Sequence, residues 1–249
     1  MPERWDRSAS LYVTSEHKGG DDLDRLIELA AGTGREEALD IATGAGHTAL
    51  TLAPHVAHVI ASDLSEGMLA QAAALATERG ITNVDTQWAD AHDLPFPDER
   101  FDIVTCRIAP HHFTDLDRSL REVARVLRPG GRYVLEDSVA PDDDRAAAFL
   151  HDVEVARDST HLRTLSSTQW VAAVERAGLV VEHTEVVRKR RDFESWLARG
   201  DCDAAGADAV RTRFGAASTV AADALAIERV DGKTIAFTDD KILLVARRA

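Results

Sequence analysis

The stretch that most constrains this chain is Ala38–Ala49, read A-L-D-I-A-T-G-A-G-H-T-A. A short, mostly apolar run, Leu39–Ala42, leads into Gly44 and Gly46, and a helix-compatible segment, His47–Ala53, follows at once. Strand, tight glycine turn and helix together form the geometry in which backbone N–H groups and a helix N-terminus meet a nucleotide-like ligand. Glycine at both positions permits positive φ and close approach of a ligand to the backbone. The string also satisfies the loose dinucleotide pattern, Gly44-x-Gly46-x-x-Ala49, so the turn alone does not name its ligand.

Carboxylates narrow the choice. Asp40 lies inside the first strand, where a dinucleotide-binding strand is usually apolar. Asp63 closes the apolar run V-I-A-S-D, and Asp90 closes T-Q-W-A-D. Each interval leaves room for one helix and one strand. Three carboxylates at three successive strand ends would converge on the carboxyl edge of a parallel sheet. A dinucleotide site accounts for Asp63, but not for Asp40 and Asp90 together.

The string L-D-I-A-T-G-A-G-H-T-A occurs with A-S-D-L-S-E-G-M-L, A-D-A-H-D-L-P-F, F-D-I-V-T-C-R-I-A-P-H-H-F and L-R-P-G-G-R-Y-V-L. With these motifs the chain resembles class I S-adenosylmethionine-dependent methyltransferases, in the branch related to ubiquinone and menaquinone biosynthesis. The resemblance is strong over Leu39 to Val139 and looser elsewhere. It implies a Rossmann-like α/β fold: a mostly parallel seven-stranded sheet with the last strand antiparallel between the fifth and sixth, and helices on both faces. It also implies a cofactor site built from Asp40, Ala42, Thr43, Gly44, Gly46, Asp63, Leu64, Met68, Ala89, Asp90, Ala91, Cys106 and Arg107. In that site Asp63 accepts from the ribose hydroxyls, Asp90 from the adenine amine, and Asp40 with the turn's carbonyls from the methionine ammonium. One departure from the family pattern is Ala42, where the first of three glycines is usual.

The remaining sequence is consistent with one methyltransferase domain over residues 1–249. It divides into an N-terminal arm and helix (1–33), a cofactor-binding core (34–140), substrate-side helices with the sixth strand (141–227) and a C-terminal hairpin (228–249). The arm carries Trp5 and Tyr12, and the resemblance places Tyr12, His17 and Lys18 near the cofactor. A helix opens at Asp21 or Asp22 with Leu23, Leu26, Ile27 and Ala30 on one face. Ser65 is suited to cap a helix over Glu66–Arg79, stopped by Gly80, with Met68 beside the Asp63 turn. Leu116, Leu120, Val123 and Leu127 mark another helix, ended by Pro129-Gly130-Gly131. Five such βα repeats imply right-handed crossovers.

Further on, Pro141–Arg157 reads as an acidic helix, Asp158–Thr164 as a polar loop, and Ser167–Ala177 as a helix. Leu179–Val187 reads as the sixth strand, with Arg188–Arg191 as its solvated basic end. Alanine-rich helical sequence fills Phe193–Ile227. The chain closes with strands Thr234–Phe237 and Lys241–Arg247 around a turn at Asp239-Asp240.

Methyl transfer from a sulfonium is an in-line displacement, so alignment and exclusion of water matter more than a nucleophile or a metal. A base for the acceptor's proton is the remaining requirement, and histidine titrates in the right range. His111 and His112 follow the fourth strand. Neighbouring side chains do not easily share one pocket, and Pro110 fixes the turn ahead of His111, which makes His111 the first candidate. His161 is the second, with Arg157 and Arg163 near it to hold an anionic or carbonyl-bearing acceptor. The other histidines, His47 apart, read as surface residues. No metal-ligand spacing, nucleophile elbow or Walker sequence occurs.

The net charge of −14 gives no electrostatic footprint for nucleic acid, no apolar run is long enough to span a membrane, and two cysteines fit a reducing cytoplasm. The expected partner is a small-molecule methyl acceptor modified at O, C or N. Oligomeric state stays open, a homodimer included. Two other readings remain: an NAD(P)-dependent oxidoreductase, from the glycine pattern, and a scaffold that binds S-adenosylmethionine without transferring its methyl group.

Overall fold

A computed structural model describes residues 20–249. The proposed contributions of Trp5, Tyr12, His17 and Lys18 fall outside them. In chain order the elements are α1 (Asp21–Ala30), β1 (Glu37–Ile41), α2 (His47–Leu52), β2 (His58–Asp63), α3 (Glu66–Glu78), β3 (Val84–Trp88), β4 (Phe101–Arg107), α4 (Leu116–Val126) and β5 (Leu127–Val139). Then follow α5 (Asp144–Arg157), α6 (Ser167–Arg176), β6 (Leu179–Asp192), α7 (Phe193–Ala198), α8 (Ala204–Gly215), α9 (Thr219–Ala224), β7 (Glu228–Val230) and β8 (Lys233–Arg248).

Two compact units form. The first runs to Glu136 and takes in Val171–Glu185 and Leu243–Ala249; the second comprises Asp137–Trp170 and Val186–Ile242. The strand order is β3-β2-β1-β4-β5-β8-β6, with β7 paired to β8. Strands β3, β2, β1, β4 and β5 are parallel to their neighbours. The last long strand lies between β5 and β6, as expected. Its direction is visible in side-chain contacts. Arg248 donates to the Leu127 carbonyl at the start of β5, whereas Lys241 donates to Ser138 near the end of β5. β8 therefore runs antiparallel to β5.

In the first unit, α1 buries Leu23, Leu26, Ile27 and Ala30, as its periodicity requires, together with Asp22. Ser65 caps α3 by accepting from the Met68 N–H, and Asp115 caps α4 by accepting from Arg118. Each cap satisfies an N–H that the helix itself cannot pair. Ala45, Leu50, Leu75 and Ala76 pack together behind the glycine turn.

The second unit has its own aromatic core. Phe193, Trp196, Phe214 and Phe237 pack with Leu150, Val153 and Leu225, Phe193 and Phe214 edge to face at 4.7 Å. Here the helix expected from Pro141 begins at Asp144, because Asp143 caps it through the Arg145 and Ala146 N–H groups.

Two expectations are corrected in this unit. Asp239-Asp240 is not a turn: β8 is continuous through it, and the hairpin turns at Asp231-Gly232, both with positive φ. Asp239 is buried and bonded to Arg191 at 2.9 Å and Lys241 at 2.9 Å. Within Arg188–Arg191, Arg188 and Arg190 are exposed as expected, but Arg191 is buried and β6 continues to Asp192. Arg188 pairs with Asp240 and Arg190 with Glu228. Cross-strand pairing of charges extends both strands.

Candidate functional site

The order of strands reverses between β1 and β4, which opens a crevice at their carboxyl ends. Asp40 sits on β1 at this point, opposite Thr105 on β4 and Ala61 on β2. It is fully buried. One carboxylate oxygen accepts from the Thr43 hydroxyl and the other from the Thr105 hydroxyl, each at 2.6 Å. Burial pushes its pKa up to about 6, against the opposing pull of these hydroxyls and of Arg107.

The turn after β1 is tied down by its neighbours. Thr43 N–H donates to the Ser62 carbonyl at 2.9 Å, and Ser62 donates to the Asp40 carbonyl at 3.0 Å. Gly44 N–H donates to Asp63 at 2.9 Å, while the other oxygen of Asp63 accepts from Ser65 N–H. Asp63 thus ties the glycine turn to the start of α3. Ala42 holds φ 52°, the left-handed conformation that glycine adopts without cost.

The two glycines have different jobs. A Cβ on Gly46 would lie 2.8 Å from the Ala72 Cβ, so Gly46 lets α2 and α3 approach one another. A Cβ on Gly44 would meet nothing within 4 Å. Gly44 therefore presents bare backbone to open space.

The third strand end is arranged differently. Asp90 accepts from both the backbone N–H and Nδ1 of His92 through one oxygen, Oδ1, the ring contact at 2.6 Å. Its Oδ2 has no hydrogen bond among the described residues. Burial raises the Asp90 pKa, but the His92 contacts outweigh it and hold the group below the ordinary carboxylate range. Ala89 N–H reaches the Asp63 carbonyl, and Trp88 Nε1 donates to the Leu64 carbonyl. Ala89, Ala91 and Met68 are buried beside these strand ends.

Cys106 is buried in β4 between Ile41 and Leu135. Arg107 next to it is ion-paired with Asp22 of α1 at 2.9 Å and Glu136 of β5 at 2.6 Å. The Glu136 pKa is raised, first by burial, despite Arg107.

A model of the methyltransferase domain matches residues 39–135. The Bacillus subtilis methyltransferase YcgJ is 37% identical over 226 residues, which cover 90% of this chain and 89% of YcgJ. The YcgJ crystal structure aligns with a TM-score of 0.87 at 36% identity, covering 91% of this chain and 97% of that one. The chain belongs to the methyltransferase family. Another member, the 27-O-demethylrifamycin SV methyltransferase of Amycolatopsis mediterranei, is 30% identical over 187 residues, 74% of this chain and 67% of its own. The demethylmenaquinone methyltransferase of Clavibacter sepedonicus is 38% identical over 125 residues, which span 49% of this chain and 50% of its own.

In this methyltransferase the histidines differ in their surroundings. His111 and His112 share a short 3-10 turn, Pro110–His112, and their ring centroids are 4.0 Å apart. His111 is buried and His112 partly so. His161 is buried in the second unit, bonded through Nε2 to Thr164 at 2.9 Å. Arg157, expected beside it as an anion holder, is already engaged. Its guanidinium bonds Glu154 at 2.9 Å and lies over the Trp196 ring.

Several residues at the candidate site draw their contacts from other elements. His92, read as a surface residue, joins Asp90 to the Asp115 N–H and stacks edge-on against Phe113. Thr105 and Asp22 give no local signal. Glu136 gives one: an acid inside an apolar strand, as Asp40 is. No group of potential metal ligands occurs among the described residues, and no described helix is long and apolar enough to cross a membrane.

Proposed function

We propose that this methyltransferase uses S-adenosylmethionine and transfers its methyl group to a small molecule, at oxygen, carbon or nitrogen, in the cytoplasm. Asp40 carries the reading. A buried carboxylate bonded, among the described residues, to hydroxyl and backbone donors and to no cation is a site prepared for a positively charged ligand. S-adenosylmethionine brings a sulfonium and an ammonium; the pyrophosphate of a nicotinamide dinucleotide brings two negative charges. The charge at Asp40 favours the first and opposes the second.

The other strand ends fit the same cofactor. Gly44 offers open backbone, Asp63 lies one hydrogen bond away from it, and Asp90 keeps Oδ2 for an exocyclic amine. Ala42, Thr43, Gly46, Leu64, Met68, Ala89, Ala91, Cys106 and Arg107 shape the surround. When bound, the cofactor supplies a carbon already attached to a good leaving group. The chain's part is to orient it, to exclude water and to take a proton from the acceptor. His111, against His112, is our candidate for that proton, with His161 the second. The named rifamycin and demethylmenaquinone relatives support a small-molecule acceptor.

Calorimetric titration with S-adenosylmethionine, S-adenosylhomocysteine and NADH tests the reading, repeated on Asp63→Ala with thermal unfolding as the control for folding. Micromolar binding of the adenosyl compounds, lost in the variant, is expected. Binding of NADH instead would overturn the reading. Turnover without His111 and His112, once an acceptor is found, would remove the base assignment.

A further inference from the structure

A cleft of about 460 Å³ lies wholly within the second unit, along the N-terminal turns of α5 and α6. That volume suits a small organic ligand. Its lining is apolar at Ala140, Pro141, Ala147 and Ala148 and polar at Thr164, Ser166 and Gln169. His151 of α5 also lines it, and its Nδ1 is buried without a hydrogen-bond partner among the described residues. A buried polar atom left unpaired is costly, so a ligand that bonds it gains that cost back.

Charge limits what the ligand can be. Asp142 and Asp144 line the cleft, and none of its described lining residues is lysine or arginine. The helix N-termini that could attract an anion are already served. Asp143 takes two N–H groups of α5. Ser166 and Gln169 cap α6 reciprocally, each backbone N–H bonded to the other's side chain. A carboxylate or phosphate would meet two negative charges and no free donor pair.

We propose that this cleft binds a neutral or cationic small molecule through a hydroxyl group held by His151 Nδ1. A hydroxyl both donates and accepts, so it pairs with either tautomer of the ring. The His151 ring lies against His161, tilted by 52° with centroids 5.6 Å apart, and His161 is itself held by Thr164. The ligand class is an uncharged or cationic alcohol or phenol, and carboxylated analogues are excluded.

Three probes that share a catechol ring and differ in charge test this: catechol itself, dopamine and protocatechuate, each titrated calorimetrically into the full chain. Catechol and dopamine are expected to bind, and protocatechuate at least tenfold more weakly than either. His151→Phe, which keeps an aromatic ring against His161, should weaken catechol at least fivefold. Ala148→Trp, which fills the cleft from an exposed wall position, should abolish binding. Affinity for S-adenosylhomocysteine should be unchanged in both variants. Protocatechuate binding as tightly as catechol, unaltered binding to His151→Phe, or no binding of catechol or dopamine would each overturn the proposal. Failure of S-adenosylhomocysteine to bind the unaltered chain would sink the cofactor reading instead and leave the cleft result standing.

Discussion

Asp40 on β1 and Thr105 on β4 stand opposite one another in strand register, and the threonine hydroxyl donates to the carboxylate at 2.6 Å. The pair lies where the sheet changes its direction of growth, so the crevice floor is a buried acid rather than an apolar side chain.

That acid gives ligand binding a pH dependence. Asp40 ionises at about 6 in the folded chain, against 3.8 for an ordinary aspartate. A raised carboxyl pKa means that the folded state holds the proton longer than the unfolded state. The unliganded protein should therefore lose stability as pH rises from about 4 to about 6. A cationic cofactor selects the ionised form. Its affinity should increase as pH rises through 6, with proton release on binding below that value. Titration in two buffers of different ionisation enthalpy measures the release, and Asp40→Asn should remove it.

The glycine turn makes a second prediction. Gly46→Ala forces a Cβ to 2.8 Å from Ala72 at φ 86°, and should cost roughly 2–3 kcal/mol in urea denaturation. Gly44→Ala meets nothing and should cost only about 1 kcal/mol through its φ, yet weaken the adenosyl ligand at least tenfold. Ala42→Gly should bind as the parent does.

Arg107 supports two buried acids at once. Replacing it with methionine leaves Asp22 and Glu136 without their guanidinium and should cost on the order of 3–5 kcal/mol at pH 7. Burial already raises the Glu136 pKa, so on loss of Arg107 it should take up a proton on acidification. The deficit in unfolding free energy should shrink by pH 5. An equal deficit at both values would argue against this account.

The Asp239 cluster has the opposite sign. Burial opposes ionisation, but Lys241 and Arg191 outweigh it and hold the pKa below the usual range. Its contribution to stability is present above about pH 4, the ordinary aspartate value, and is lost as pH falls below it. Asp239→Asn should cost about 3 kcal/mol at neutral pH, and its unfolding curve should approach that of the parent in acid.

What could be read in advance was local chemistry. Ser65 is a cap because its own side chain reaches the next helix, and Gly44 and Gly46 follow from a turn only a few residues long. Asp239-Asp240 resembled a turn because two adjacent acids belong in water unless a partner arrives. Here the partner, Arg191, is 48 residues away along the chain. Arg107 looked available for a ligand because the ion pair with Asp22 joins residues 85 apart. His92 and Glu136 were missed for the same reason: each draws its role from residues on another element.

β8 is a single 16-residue strand, and the boundary between the two compact units falls within it, after Ile242. Its first part holds Asp239 and Lys241; its last part carries Arg247 and Arg248, which bond Glu182 and Glu99. Strand side chains alternate with a period of two, so one inserted residue would reverse inside and outside for everything beyond it. An insertion that an exposed loop would absorb is therefore barred within this strand.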